Sequence, residues 1–125
     1  MVITKEKQDD AHIYCTEDKI ETEVIAALNF MKDVYTTFGM PYKLELSHST
    51  TEGFRRERLN CGTRREVAGN AMDEFAEKGG WRVNPGDGAI YGPKIDIKVM
   101  DAMEHVHQCA IIQLDSQLPI RFNLE

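Results

Sequence analysis

A single apolar stripe near the N-terminus constrains the fold of this chain more than any other feature. Thr16 can cap the start of a helix, and Glu17 and Asp18 place negative charge where the helix dipole favours it. Gly39 and Pro41 end the pattern. The apolar residues of the stripe, spaced three and four apart, are Ile20, Val24, Leu28, Met31, Tyr35 and Phe38. This spacing predicts one long amphipathic helix, which needs a second layer to cover its apolar side.

Alternating segments further along the chain predict a sheet as that second layer. The stretch "YKLELS" at 42–47 alternates, and residues 94–99 alternate isoleucine or valine with charged side chains. The run "VHQCAIIQLD", which begins at Val106, is apolar enough to predict a largely buried strand. "PGDG" and a short turn after Asp101 join strands that follow closely in sequence, and this favours antiparallel pairing.

A second helix is predicted from about Thr63 to Lys78, ended by the two glycines that follow it. The residues that this helix would turn inward are Val67, Ala71, Met72 and Phe75. Both helices can then cover the same face of the sheet. The predicted fold class is therefore α+β, a mainly antiparallel sheet flanked by two helices, in a single domain over residues 1–125.

Composition excludes several classes of protein. A net charge of −6 argues against a module that holds nucleic acid by phosphate neutralisation alone. The longest apolar runs are too short to span a bilayer, so no membrane partner is expected. Three widely spaced cysteines do not make a disulfide framework, which favours a reducing, cytoplasmic location.

The segment "QDDAHIYC" at 8–15 concentrates polar groups and is predicted to be a strand. Gln8, Asp10 and His12 would then share one face, whereas Cys15 would point away as a buried small hydrophobic side chain. An imidazole can bind a metal, and a carboxylate two residues away can accept a hydrogen bond from a substrate. The alternative is a structural histidine with satisfied hydrogen bonds, and spacing alone favours that alternative.

Two further histidines, His105 and His107, would share a strand face and could form a zinc pair. The chain offers no convincing third and fourth ligand, so a closed structural zinc site is excluded. A metal-dependent structural domain that uses both of them together with His12 is kept as a minor alternative.

The glycine-rich segment "GDGAIYGPK" ends at Lys94 and includes Tyr91. Its glycines let a ligand approach the backbone closely, and the two side chains offer a phenol and a cation. A strand and not a helix follows, so the segment is not a phosphate-binding loop, and a simple β-turn explains it equally well. The arginine-rich stretch from Arg55 to Arg65 could face RNA, but Glu57 and Glu66 dilute its charge and favour a solvated helix with its approach loop.

Three strings, "QDDAHIYC", "GDGAIYGPKIDI" and "HQCAIIQLDSQLPIRFNL", occur in an order and spacing that closely resemble the catalytic core of the threonyl-tRNA synthetase family. The resemblance covers nearly the whole chain, and residues 49–72 are its loosest part. It implies a class II aminoacyl-tRNA synthetase built on an antiparallel sheet flanked by helices. Such an enzyme activates threonine with ATP and Mg²⁺ and transfers it to tRNA.

The resemblance also implies roles for single residues. His12 corresponds to one of three protein ligands of a zinc ion that binds threonine, and Lys94 and Gln108 correspond to groups that contact ATP or the adenylate. The residues that match the amino-acid pocket are Gln8, Asp10, Tyr91 and Gln113. Zinc with an open position and a buried carboxylate would reject valine, which lacks the hydroxyl, whereas serine would be excluded by only about 1–3 kcal/mol.

Gln108 and Gln113 would fall on opposite faces of a regular strand. They can line one site if a bulge lies between them, or if one of them acts from the end of the strand.

Before "QDDAH", the stretch "MVITKEK" contains neither the arginine nor the adenine-stacking aromatic residue of the family pattern. The remaining zinc ligands, the dimer-interface motif and the anticodon-binding domain of that pattern find no match between Met1 and Glu125. We therefore expect a central segment of the synthetase core that alone neither binds zinc tightly nor activates threonine. The homodimer expected of the family would lack its interface. The alternative is a non-catalytic binding module for ATP, threonine or a synthetase partner.

Overall fold

The computed structural model describes residues 7–48, 58–76, 80–87 and 92–124, with side chains of the second helix described from Glu66 onward. A 3-10 turn at Glu17–Lys19 leads into the first helix. The helices and strands are α1 (Ile20–Thr37), β1 (Tyr42–His48), α2 (Arg58–Phe75), β2 (Trp81–Pro85), β3 (Lys94–Met100), β4 (Val106–Gln113) and α3 (Gln117–Arg121). None of the helices within the described ranges is long and apolar enough to cross a membrane.

The long N-terminal helix is confirmed, together with its stop signal. Val24, Leu28 and Met31 of the apolar stripe are buried. Gly39 adopts a positive φ of 64°, a conformation that glycine reaches without steric cost, and its N–H donates to the Thr36 carbonyl. Phe38 is the exception to the stripe, because its side chain remains 70% exposed just beyond the last turn.

The sheet has four strands in the order β2-β1-β3-β4. The pairs β1–β3 and β3–β4 are antiparallel, whereas β1 and β2 are parallel. The parallel pair follows from α2, which lies between β1 and β2 in sequence and carries the chain back to start the next strand in the same direction. The sheet is thus mixed but mainly antiparallel, and the α+β prediction is confirmed.

The hydrophobic core lies between the two long helices and one face of the sheet. Leu44 pairs with Ile97 and Leu46 with Ile95, so these four side chains share the face that the helices cover. The helix residues buried against them are Val24, Leu28, Met31, Ala68, Ala71 and Met72. Alternation along β1 and β3 therefore points the intervening polar side chains to the opposite face.

Two strand predictions are wrong in instructive ways. Residues 7–16 form no strand, and their side chains, including that of Cys15, are exposed. The strand β4 exists, but it is not largely buried: it is the last strand of the sheet, and most of its side chains are exposed. Apolar content indicates that a segment can be buried, whereas actual burial depends on which neighbours pack against it.

Candidate functional site

The polar face of the sheet carries a cluster of side chains that connects three strands. On β3, Lys94, Asp96 and Lys98 alternate with the buried isoleucine and valine side chains. The antiparallel register places Ser47 of β1 directly across from Lys94, and Glu45 across from Asp96. Directly paired residues on neighbouring strands lie on the same face, so this face is a continuous polar surface.

A β-bulge in β4 brings both glutamines onto that surface. Ile97 pairs with Ala110, but the next residue, Lys98, pairs with Gln108, so that Cys109 is left over. Gln108 then lies across from Lys98, and Gln113 lies across from Lys94. One extra residue reverses the alternation between the two glutamines, which is the first of the two alternatives by which both could line one site.

Asp96 is the centre of this arrangement and is only 1% exposed. Its Oδ1 accepts a hydrogen bond from Gln108 Nε2 at 2.6 Å, and its Oδ2 accepts one from Ser47 Oγ at 2.7 Å. Lys94 Nζ lies 3.4 Å from the same Oδ2. A buried carboxylate is costly unless it is paired and hydrogen-bonded, and these three donors meet that requirement. We call Ser47, Lys94, Asp96 and Gln108 the Asp96 cluster.

Lys94 lies at the rim of the Asp96 cluster. Its ammonium is 3.4 Å from buried Asp96 and 3.8 Å from Asp87 Oδ2, whose side chain is 68% exposed. Asp87 Oδ2 also lies 3.3 Å from the side-chain amide nitrogen of Asn84 on β2. The Lys94 side chain is 16% exposed, so a cation is held in place while remaining accessible to a ligand.

A glycine fixes the position of the backbone next to Lys94. Gly92 has φ 154°, and a Cβ added there would lie 2.3 Å from the Leu114 carbonyl oxygen. The adjacent Pro93 carbonyl accepts a hydrogen bond from the Leu114 N–H at 3.1 Å. The backbone before β3 thus lies close against the backbone after β4, and this contact holds Lys94 beside Gln113.

A second ion pair lies beside the Asp96 cluster. Lys98 Nζ contacts Glu45 Oε2 at 2.6 Å, and the two side chains are 28% and 21% exposed. The hydrogen bond to Glu45 is the largest influence on the pKa of Lys98, which lies above its ordinary value. The pair offers a charged contact on the same face that does not involve Asp96 directly.

The predicted residues of the N-terminal segment do not lie on a strand. Gln8, Asp10 and His12 are exposed in an irregular stretch, where His12 Nε2 lies 3.7 Å from Asp10 Oδ2. Tyr91 falls outside the described residues, as do the side chains of the arginine-rich stretch. The structure therefore gathers Lys94, Gln108 and Gln113 on one face, and the binding roles of these three residues and of the N-terminal residues stay predictions.

The two later histidines contact an aspartate. Asp101 Oδ2 lies 2.9 Å from His107 Nε2 and 3.3 Å from His105 Nδ1. Asp101 Oδ1 accepts the backbone N–H groups of Met103 and His105, which closes the turn between β3 and β4. Within the described ranges, no three His, Cys, Asp or Glu side chains are grouped so that they could hold a metal ion, so these residues do not fit a zinc centre.

A shallow cavity lies on the other side of the sheet, between α2 and β2. Its volume is about 360 Å³, and Trp81 and Leu46 contribute to its wall. Trp81 Nε1 donates to Asp73 Oδ1 at 2.8 Å, which ties the strand to the helix. Because Leu46 belongs to the core face, this cavity is separated from the Asp96 cluster by the sheet itself.

Sequence reasoning missed Asp96 and Ser47. The available signal was a lone carboxylate between two isoleucines in "KIDIK", flanked by lysines on the same strand face. Such a pattern is usually a solvent-exposed face, and only the register with β1 and β4 reveals that donors surround the carboxylate.

Comparison with known proteins agrees with this architecture. Residues 5–125 match the family described as tRNA synthetase class II core domain (G, H, P, S and T), and the chain belongs to this family. Within that class it is similar to threonine–tRNA ligases. It is 51% identical over 118 residues to the cytoplasmic threonine–tRNA ligase 2 of Homo sapiens and 50% identical to the cytoplasmic threonine–tRNA ligase 1 of Rattus norvegicus.

These alignments cover 94% of this chain, but the chain spans only 14% and 16% of the length of the two relatives. Among solved structures, the RNA binding domain of threonyl-tRNA synthetase from Cryptosporidium parvum Iowa II matches with a TM-score of 0.77 and 42% identity. That match covers 88% of this chain and 27% of the other. The resemblance to threonyl-tRNA synthetase that the three strings indicated is confirmed.

Proposed function

We propose that this chain forms part of the ATP- and threonine-binding core of a threonine–tRNA ligase, within a longer polypeptide that charges tRNA. The observation that carries the proposal is the shared sheet face. Lys94, Gln108 and Gln113 were assigned to substrate binding separately by resemblance, and a bulge is needed to bring them together. The identity of about half of the aligned residues with threonine–tRNA ligases supports the same function.

In this proposal, Lys94 contacts ATP phosphate oxygens and Gln108 contacts the ATP or adenylate. An accessible ammonium held between two carboxylates suits such a role, because its position is fixed before a ligand arrives. Activation of threonine joins its carboxylate to the α-phosphate of ATP and releases pyrophosphate. Mg²⁺ is expected to accompany ATP, bound largely through phosphate oxygens.

Threonine selection is assigned to Gln8, Asp10, Tyr91 and Gln113. A buried carboxylate that accepts from the threonine hydroxyl would discriminate against valine. Asp10, however, is 83% exposed in its side chain, and His12 is 75% exposed. The described residues do not assemble a zinc site, so we assign no step to zinc and propose that the isolated chain does not bind it tightly.

tRNA is the proposed acceptor of the activated threonine in the longer protein. The cytoplasm is the proposed location, because the human and rat relatives are named as cytoplasmic enzymes. A homodimer stays a prediction.

The first test of this function is calorimetric titration of the purified chain with Mg-ATP. We expect weak binding that Lys94→Gln reduces by about tenfold or more, because a charge-assisted contact contributes about 1.5–3 kcal/mol. Lys43→Gln is the matched control, since it removes the same charge from an exposed lysine of β1. Equal affinities of the Lys94 and Lys43 variants would contradict the assignment of Lys94.

The same preparation tests whether the chain supplies a complete active site or only part of one. Threonine-dependent pyrophosphate exchange should remain at background if the chain supplies only part of the active site. Exchange above background would show that the isolated chain is a complete catalyst and would overturn the partial-site proposal. ATP binding without exchange is equally the behaviour of a non-catalytic binding module.

A further inference from the structure

Asp96 is a buried ionisable group to which neither the resemblance nor the family comparison assigns a role. It contacts two residues that the proposed function places on ATP, and it touches both from one carboxylate: Gln108 through Oδ1 and Lys94 through Oδ2. We propose that Asp96 is a positioning residue, which fixes the Gln108 amide and the Lys94 ammonium in the orientation that meets the nucleotide. This inference rests on the proposed function of those two residues.

The geometry explains how one carboxylate can orient a glutamine. A glutamine side chain can present either its nitrogen or its oxygen in a given direction. Asp96 Oδ1 accepts only, so the contact at 2.6 Å is made by Gln108 Nε2. The Gln108 oxygen, Oε1, is thereby directed away from Asp96 and left to accept a hydrogen bond from a ligand.

The same carboxylate restrains the lysine. Lys94 Nζ lies 3.4 Å from Asp96 Oδ2, which also accepts from Ser47 Oγ at 2.7 Å. Ser47 is fully buried, so it fixes Asp96 Oδ2 from the neighbouring strand. A flexible four-carbon side chain then has one preferred position for its ammonium, which reduces the entropy that ligand binding would otherwise cost.

Burial makes this arrangement sensitive to the charge of Asp96. Asparagine has nearly the same shape as aspartate, but one of its two polar atoms is an N–H₂ donor. An asparagine at position 96 could not accept from both Gln108 Nε2 and the Lys94 ammonium. Either Gln108 would reverse its amide or Lys94 would lose its inner partner and turn toward exposed Asp87.

The test uses the Asp96→Asn variant and follows the side-chain amide of Gln108 by ¹⁵N NMR without ligand. In the wild type, we expect the side-chain amide of Gln108 to be ordered on the picosecond-to-nanosecond timescale. In the variant, we expect this amide to be more mobile or to have a different chemical shift. Glu45→Gln is the matched control, because it removes the same charge from the same sheet face and leaves the Asp96 contacts in place. An unchanged Gln108 amide in Asp96→Asn, together with an ATP affinity equal to that of the wild type, would overturn the proposal.

A double-mutant cycle with Mg-ATP separates positioning from simple loss of stability. We expect Asp96→Asn to weaken ATP binding by about fivefold to tenfold, the effect of one hydrogen bond or ion pair. In the Lys94→Gln background the same change should have a smaller effect, because part of its action passes through Lys94. Equal effects in both backgrounds, with Gln108 unchanged, would reduce Asp96 to a purely structural residue.

Two further outcomes remain decisive. If Asp96→Asn does not fold, the wild type alone gives the test: the amide of Gln108 should be more ordered than that of exposed Gln113 on the same strand. Equal mobility of the two glutamines would refute the positioning role. If the wild type binds no ATP, the proposed nucleotide contact fails, while the NMR comparison still decides whether Asp96 orients Gln108.

Discussion

At the scale of single residues, the main feature is the buried carboxylate of Asp96, which is surrounded by hydrogen-bond donors. Asp96 lies in the middle of β3 with hydrogen bonds from β1 and β4, so one side chain ties three strands together on their polar face. Removing any of its partners would leave a buried charge undercompensated, which is far more costly than losing an exposed ion pair. A residue that couples the strands in this way also couples the residues proposed to bind ligand.

Gly92 gives a prediction at the same scale. Gly92→Ala should lower the free energy of unfolding by about 1–3 kcal/mol, the typical cost of forcing an extra methyl group into a packed site. The added Cβ would lie 2.3 Å from the Leu114 carbonyl oxygen, and the backbone cannot easily yield. Urea denaturation would measure the change.

Gly39→Ala is the control for that experiment. Gly39 also has a positive φ, but no atom lies within 4 Å of a Cβ added there. Gly39→Ala should therefore lower the free energy of unfolding by only about 1 kcal/mol, the cost of the backbone conformation alone. If Gly92→Ala were no more destabilising than Gly39→Ala, the close approach of the two backbone segments would not constrain the backbone next to Lys94.

The sequence predicted some residues of the candidate site, but it did not predict the hydrogen bonds and the ion pair that connect them through Asp96. Lys94, Gln108 and Gln113 could be named from the three strings, and a bulge could be anticipated from their spacing. Asp96 could not, because a carboxylate between lysines on a strand has the same sequence pattern whether its face is solvated or enclosed. The difference arises from cross-strand register, which a single sequence does not encode locally.

At the scale of elements, the sequence predicted the burial of β4 wrongly and offered its bulge as one of two alternatives. Its apolar content predicted burial, yet it lies at the edge of the sheet with Val106 and Ile111 more than half exposed. Its bulge at Cys109 was the condition for bringing both glutamines to one face. Helix α1 was predictable because its period alone defines its buried side, whereas a strand needs its neighbours to define what is buried.

The turn between β3 and β4 gives a prediction about pH. Hydrogen bonds to Asp101 hold the pKa of its carboxyl below the ordinary value. The His107 side chain makes the largest contribution, and the His105 backbone makes the next largest. A lowered pKa in the folded state means that the ionised carboxylate stabilises the fold above the ordinary pKa, near 3.8. That contribution is lost as the pH falls through the lower, folded-state value.

Asp101→Asn should therefore be less stable than the wild type near neutral pH, and the difference should narrow as the pH falls below about 4. Urea denaturation at a series of pH values would measure it, with Asp33→Asn as a control on an exposed carboxylate of α1. A difference that stayed constant with pH would show that Asp101 acts by shape alone and not by charge.

At the scale of the whole molecule, the two faces of the sheet differ in their chemistry. Helices α1 and α2 cover one face and bury the hydrophobic core, while the other face carries the Asp96 cluster and the Lys98–Glu45 pair. This two-layer arrangement followed from the periodicity of the sequence, because alternating strands and a striped helix must bury matching sides. The parallel placement of β2 did not, since it depends on the path of the chain through α2.

The proposed function places the nucleotide on the polar face of the sheet. Backbone amide NMR during titration of the purified chain with Mg-ATP tests it most directly. We expect chemical-shift changes to concentrate in Lys94–Met100 and Val106–Gln113, the two strands that carry Lys94, Asp96, Gln108 and Gln113. Changes confined to α2 and Trp81, around the cavity on the helix side, would contradict it, and so would a spectrum that ATP leaves unaltered.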